Sequence, residues 1–94
     1  MAVKIFIKRR LKTGNIQAAS EMLIKARTSA MEEPGYISSE TLRGSDDPNE
    51  IVVISLWETK EDWERYVRKP SRKKLEAEFY DLLGVEVDAD EAAI

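Results

Sequence analysis

Seven consecutive residues, Ile51 to Trp57, carry six apolar side chains and a single serine. Four of the seven are β-branched, and the run is bounded by Asp46-Asp47-Pro48-Asn49 on one side and Glu58-Thr59 on the other, so it reads as a strand. Successive side chains of a strand point to opposite faces, and this strand therefore needs apolar cover on both. A layer of helices covers one face. A small sheet in a chain of 94 residues has nothing of its own for the other. Chains this short bury only roughly 60–65% of their unfolded surface, and association is a common remedy. A homodimer is therefore expected, the alternative being a central strand with one partly wet face.

The rest of the chain supplies the sheet around this strand. Val3, Ile5 and Ile7 alternate with Lys4, Phe6 and Lys8, a period-two pattern that predicts a strand within residues 2–12. Gly14-Asn15 punctuates. Ile16, Ala19, Met22, Leu23, Ala26 and Ala30 then recur at steps of three and four, which predicts an amphipathic helix over about 15–33, stopped by Pro34-Gly35. A second, more weakly patterned strand runs from Tyr36 to Arg43, and Gly44 to Asn49 is dense in turn formers. Thr59 with Asp62 three residues on is an N-cap arrangement opening a helix that carries Trp63, Tyr66 and Val67. Pro70-Ser71 breaks and restarts it, and a last helix with Leu75, Phe79 and Leu82 on one side runs to about Leu83. After Gly84, Val85-Glu86-Val87 reads as a short fourth strand, with Asp88 to Ile94 as an acidic, frayed tail. The whole is one domain, residues 1–94, of α+β class with the βαββαβ ferredoxin-like order and an antiparallel four-stranded sheet.

Composition narrows the chemistry. There is no cysteine and no histidine, so thiolate nucleophiles, disulfides, iron–sulfur ligation, the usual zinc and haem ligands and every His-dependent triad are excluded. Fifteen bases against eighteen acids give a net charge of −3, and no nucleic-acid partner is expected. Bases do cluster at Lys4, Lys8, Arg9, Arg10 and Lys12, and again at Arg68, Lys69, Arg72, Lys73 and Lys74. Neither cluster is accompanied by nucleic-acid recognition motifs, so both read as solvated surface, with Glu76 and Glu78 as counter-charges. Asp46-Asp47 and Asp88-x-Asp90 do not fit a calcium loop, and no metal site is expected. The scattered glycines form no phosphate cradle. No window is apolar enough to span a membrane, and the opening Met1-Ala2-Val3-Lys4 lacks a signal peptide's layout. The expected location is cytoplasmic, without membrane association.

The aromatic residues carry the remaining functional signal. Trp57 ends the apolar strand, Trp63 and Tyr66 sit early on the following helix, and Phe79 lies further along. Such rings either fill a core or line a pocket for a flat apolar ligand. Trp63, at a helix edge, is expected to be less deeply packed than Trp57.

Several of these features together resemble the antibiotic biosynthesis monooxygenase family. They are the opening strand with Gly14, the helix end Glu32-Glu33-Pro34-Gly35-Tyr36, the loop Asp46-Asp47-Pro48-Asn49, and Ile51 to Trp57 followed by Glu58-Thr59-Lys60-Glu61-Asp62-Trp63. The resemblance implies a dimeric α/β barrel in which two four-stranded sheets pack face to face, helices outside. It also implies cofactor-independent oxygenation of flat aromatic polyketides or quinols, or haem degradation. The haem-degrading branch places an Asn on the first strand, a Trp nine residues after the strand-ending Trp and a His ten further on. Here those places hold Ile7 (or Arg9 in a shifted register), Tyr66 and Glu76, so no haem and no other cofactor is expected. The polyketide-oxidising branch accompanies the strand-ending Trp with an Asn four residues earlier and a Tyr six later. Trp57 matches, but Val53 and Trp63 occupy the other two positions.

The resulting expectation is a monooxygenase-like domain acting without cofactor on a small aromatic phenol or quinol in a cleft between sheet and helices. Trp57, Trp63, Tyr66 and Phe79 would bind the ring, and Tyr66 or Arg9 would donate a hydrogen bond to the developing oxyanion. The competing expectation is a non-catalytic dimeric module for small-ligand binding or interaction, and a weaker third is an effector-binding domain.

Overall fold

The computed structural model describes residues 2–10, 16–83 and 86–93, with side chains at 2–10 and 17–78. The Gly14-Asn15 punctuation, Lys12, Gly84 and the side chain of Phe79 lie outside the described residues. The elements follow the expected order: β1 (Val3–Arg10), α1 (Ile16–Met31), β2 (Tyr36–Arg43), β3 (Glu50–Trp57), α2 (Lys60–Val67), α3 (Pro70–Leu83) and β4 (Glu86–Ala93). The strands form one antiparallel sheet in the order β2-β3-β1-β4. The apolar strand β3 is thus interior, as its composition demands. The fourth strand is longer than the three residues read from sequence: its pairing with β1 runs from Arg10↔Glu86 to Val3↔Ala93, through the residues expected to fray. Ladder hydrogen bonds join backbone to backbone, so an otherwise open edge of β1 recruits a partner whose side chains carry little strand signal.

Odd-numbered residues of β1 and β3 face the helices. Val3, Ile5 and Ile7 form a core cluster with Trp57, Trp63 and Tyr66, and Ile51 forms a second with Ala19, Met22 and Leu75 of α1 and α3. Even-numbered residues face away from the helices. There Phe6, Val52, Ile54 and Leu56 are half-buried and Leu42 of β2 is 49% exposed.

Local devices fix the helices. The Thr59 Oγ1 accepts the Asp62 N–H at 3.1 Å and donates to the Asp62 carboxylate at 2.8 Å, the N-cap read from sequence. Pro70 opens α3, where its missing N–H costs no hydrogen bond. Gly35 is the one glycine at positive φ among the described residues: its φ is +88°, and a Cβ there would run into the Asp62 carboxyl. Its carbonyl also accepts the Glu58 N–H at 2.7 Å. Gly35→Ala would therefore strain the backbone and displace the capping aspartate together. The expected cost is about 2–4 kcal/mol, a left-handed alanine plus a lost cap, to be read from the urea midpoint. A cost below about 0.5 kcal/mol would contradict this geometry.

Candidate functional site

Between the helix-facing side of the sheet and the helices lies a cleft of about 60 Å³. Its aromatic wall is built by three elements. Trp57, at the end of β3, is fully buried, and its indole N–H donates to the Ser55 hydroxyl at 3.0 Å. Trp63 and Tyr66, three apart on α2, fall on the same helix face and meet it. The Tyr66 ring stacks on Trp57 at 5.4 Å between centroids, and the Trp63 ring lies 5.7 Å away, tilted. Tyr36, paired with Trp57 across β2 and β3 beside a bulge at Tyr36/Ser38, packs edge-on at 5.6 Å. Each such ring pair adds ~0.5–1.5 kcal/mol beyond area burial.

Polar groups share the lining with these rings. Ser39, Thr41 and Ser55 bring hydroxyls from β2 and β3, while Arg9, Arg72 and Arg27 bring guanidinium groups from β1, α3 and α1. Arg9 and Arg72 are only 4% and 7% exposed. Both donate to the Glu76 carboxylate: Arg9 in a two-pronged contact of 3.2 and 2.5 Å, Arg72 from one turn away on the same helix. Burial would raise the Glu76 pKa, but the hydrogen bond from Arg9 and the charges of Arg72 and Arg9 outweigh it and hold the carboxyl below its ordinary value. The Arg72 guanidinium also lies 5.6 Å from the centre of the Tyr66 ring. Tyr66 is 3% exposed, and its hydroxyl is buried with no hydrogen-bond partner among the described residues.

A family model for antibiotic biosynthesis monooxygenases matches residues 2–78. The chain belongs to the antibiotic biosynthesis monooxygenase family. Its fold is shared with SnoaB, a cofactor-independent oxygenase from Streptomyces nogalater (16% identity over 99% of this chain and 92% of that one, TM-score 0.87). It is shared equally with Rv0793 from Mycobacterium tuberculosis (17% identity over 100% and 95%, TM-score 0.85). A conserved protein from Methanosarcina mazei Go1 also matches (14% identity over 98% and 91%, TM-score 0.87). No curated protein matches the sequence.

Trp57, Trp63, Tyr66 and Arg9 all line the cleft, as do Val53 and Ile7 at the family's other marked positions. Glu76, at the position of the haem-branch His, is bound to Arg9 and Arg72. Trp63 is more accessible than Trp57, at 8% against 0%, yet it too is buried. The expectation of solvated basic clusters fails at Arg9 and Arg72, because Arg9 shares the parity of the inward-facing Val3, Ile5 and Ile7. The Arg72–Glu76 spacing of four was the available sign of the network. The hydroxyls and the α1 contribution (Leu23, Ala26, Arg27, Ala30) were not anticipated from sequence. Ser55, the single polar residue in an apolar strand, was the clue to the first. Asp47 does turn chemistry: it accepts the Asn49 N–H at 3.0 Å and pairs with Arg10.

Proposed function

We propose that this chain is a cofactor-independent monooxygenase of a small electron-rich phenol or quinol, working in the cytoplasm as a homodimer joined through the even-numbered sheet face. The observation that carries the reading is the Tyr66 hydroxyl, buried at the aromatic wall without a partner among the described residues. A buried, unmade hydrogen bond costs about 1–3 kcal/mol, and a ligand oxygen in the cleft would satisfy it. The ring of such a substrate would lie against Trp63 and Tyr66, with the phenolate oxygen accepting from the Tyr66 O–H. An electron-rich phenolate delivers electrons to dioxygen directly. Where the ring carbon para to the hydroxyl carries hydrogen, one oxygen atom bonds to that carbon, the other leaves as water with that hydrogen and the hydroxyl hydrogen, and a quinone results. The protein's part is to hold the ring, exclude water and stabilise the oxyanion.

The substitution of Val53 and Trp63 at two of the family's marked positions favours the second reading, a binding module without turnover. Oxygen consumption with a panel of simple phenols and quinols separates the two. Tyr66→Phe gives a sharper test. Removing an unpartnered hydroxyl should leave stability unchanged or raise it by about 1 kcal/mol. Turnover should fall at least tenfold, since one oxyanion donor contributes about 10²–10³ in kcat. A Tyr66→Phe protein that is less stable and fully active would remove the basis of the proposal.

A further inference from the structure

The cleft's size and the position of its charges narrow the ligand further, an inference that rests on the phenol-binding reading above. An enclosed apolar cavity of about 150 Å³ is what accommodates a benzene ring. At about 60 Å³ this cleft is smaller than that, so it has room for no more than part of one ring, and the rest of a ligand would stand at the mouth. The mouth is marked by the exposed members of the lining, Arg27 on α1 and Thr41 on β2. Arg27 differs from the other two arginines of the cleft. Arg72 and Arg9 are buried and bound to Glu76, whereas Arg27 makes no ion pair among the described residues. It therefore presents a fork of donors matched in geometry to a carboxylate. Tyr66 also lines the cleft, and its hydroxyl is buried with no hydrogen-bond partner among the described residues.

We propose that the preferred ligand is a monocyclic phenol bearing a carboxylate, the ring oxygen inside at Tyr66 and the carboxylate outside at Arg27, and that Arg27 sets this specificity. Two-ring and three-ring quinols are excluded by size, and neutral phenols lack the outer anchor.

The test is isothermal titration calorimetry of 3-hydroxyphenylacetate against its neutral, nearly isosteric amide, on wild type, Arg27→Gln and Lys25→Gln. Lys25 is on the same helix but pairs with Glu78 at 3.1 Å, away from the cleft. Wild type should bind the acid about tenfold or more tightly than the amide, a difference of about 1.4 kcal/mol. Arg27→Gln should abolish that preference and leave amide binding within about twofold; Lys25→Gln should preserve it. Equal binding of acid and amide by wild type overturns the inference while leaving a phenol-binding cleft intact, as does equal loss in both variants. Tighter binding of 1-naphthol than of either probe overturns the size argument. Absence of binding by every phenol tested overturns this inference and the phenol reading with it.

Discussion

Ile54→Asp should dissociate and unfold the protein in one step, with no folded monomer at micromolar concentration. Ile54 lies on the even-numbered face of β3 with Val52 and Leu56, and beside Phe6 of β1, its partner in register. These side chains are half-buried by the sheet itself and point away from the helices that cover the odd-numbered face. In the proposed dimer a second sheet covers them, and an interface of this apolar kind typically exceeds ~2,000 Å² in total. A carboxylate there would be desolvated without a counter-charge, at a cost of several kcal/mol, against a total stability of about 5–15 kcal/mol. Obligate dimers have no separate monomer stability, so circular dichroism and light scattering should lose signal together. A wild-type mass equal to one chain by light scattering would refute the dimer. A folded monomeric Ile54→Asp variant would show that the interface is dispensable for folding.

Glu76→Ala should be nearly as damaging, for the opposite reason: it removes a charge that two buried cations need. The Arg9 and Arg72 side chains are 3% and 8% exposed and both bind this carboxylate. Removing one member of a buried ionic group typically costs about 3–5 kcal/mol; with Glu76 itself 27% exposed, about 3 kcal/mol is expected. The pH dependence follows from the direction of the shift. Because the folded-state pKa lies below the ordinary value of 4.5, the network contributes fully above pH 4.5. That contribution is lost as pH falls through the folded-state value. Wild type should therefore lose stability steeply on acidification below pH 4.5, and Glu76→Gln should show a flatter acid limb. Urea midpoints across pH 3 to 7 measure both, and parallel acid limbs would mean that Glu76 is not the titrating group.

The period-two pattern of β1 and the double-sided apolarity of β3 made the sheet legible in sequence, and Pro34-Gly35, the Thr59 cap and Pro70 marked the helix ends to within two residues. These are local signals, set by backbone conformation and by which side chains avoid water. β4 was half missed because edge pairing is a backbone transaction, visible only once β1 is seen to need a partner. The aromatic half of the site was legible for a related reason: Trp57, Trp63 and Tyr66 are close in sequence and bridged by one cap. The polar half was only partly so: Arg72 and Glu76 are four apart on one helix, but Arg9 reaches Glu76 across 67 residues of chain. A charged residue on a strand gives no sign of whether its partner is water or a distant carboxylate. Parity alone could have turned Arg9 inward.

Ala26 and Ala30 sit one helical turn apart on the α1 side of the cleft. Their methyl groups are spacers, and what they space is the width of the opening. Both also pack on the core, Ala26 against the cluster of Ala19, Met22, Ile51 and Leu75 and Ala30 against that of Trp57, Trp63 and Tyr66, so a larger side chain at either would narrow the cleft and press on that packing at once. A change of ring size along this one helix face would therefore have to be matched by the core residues behind it.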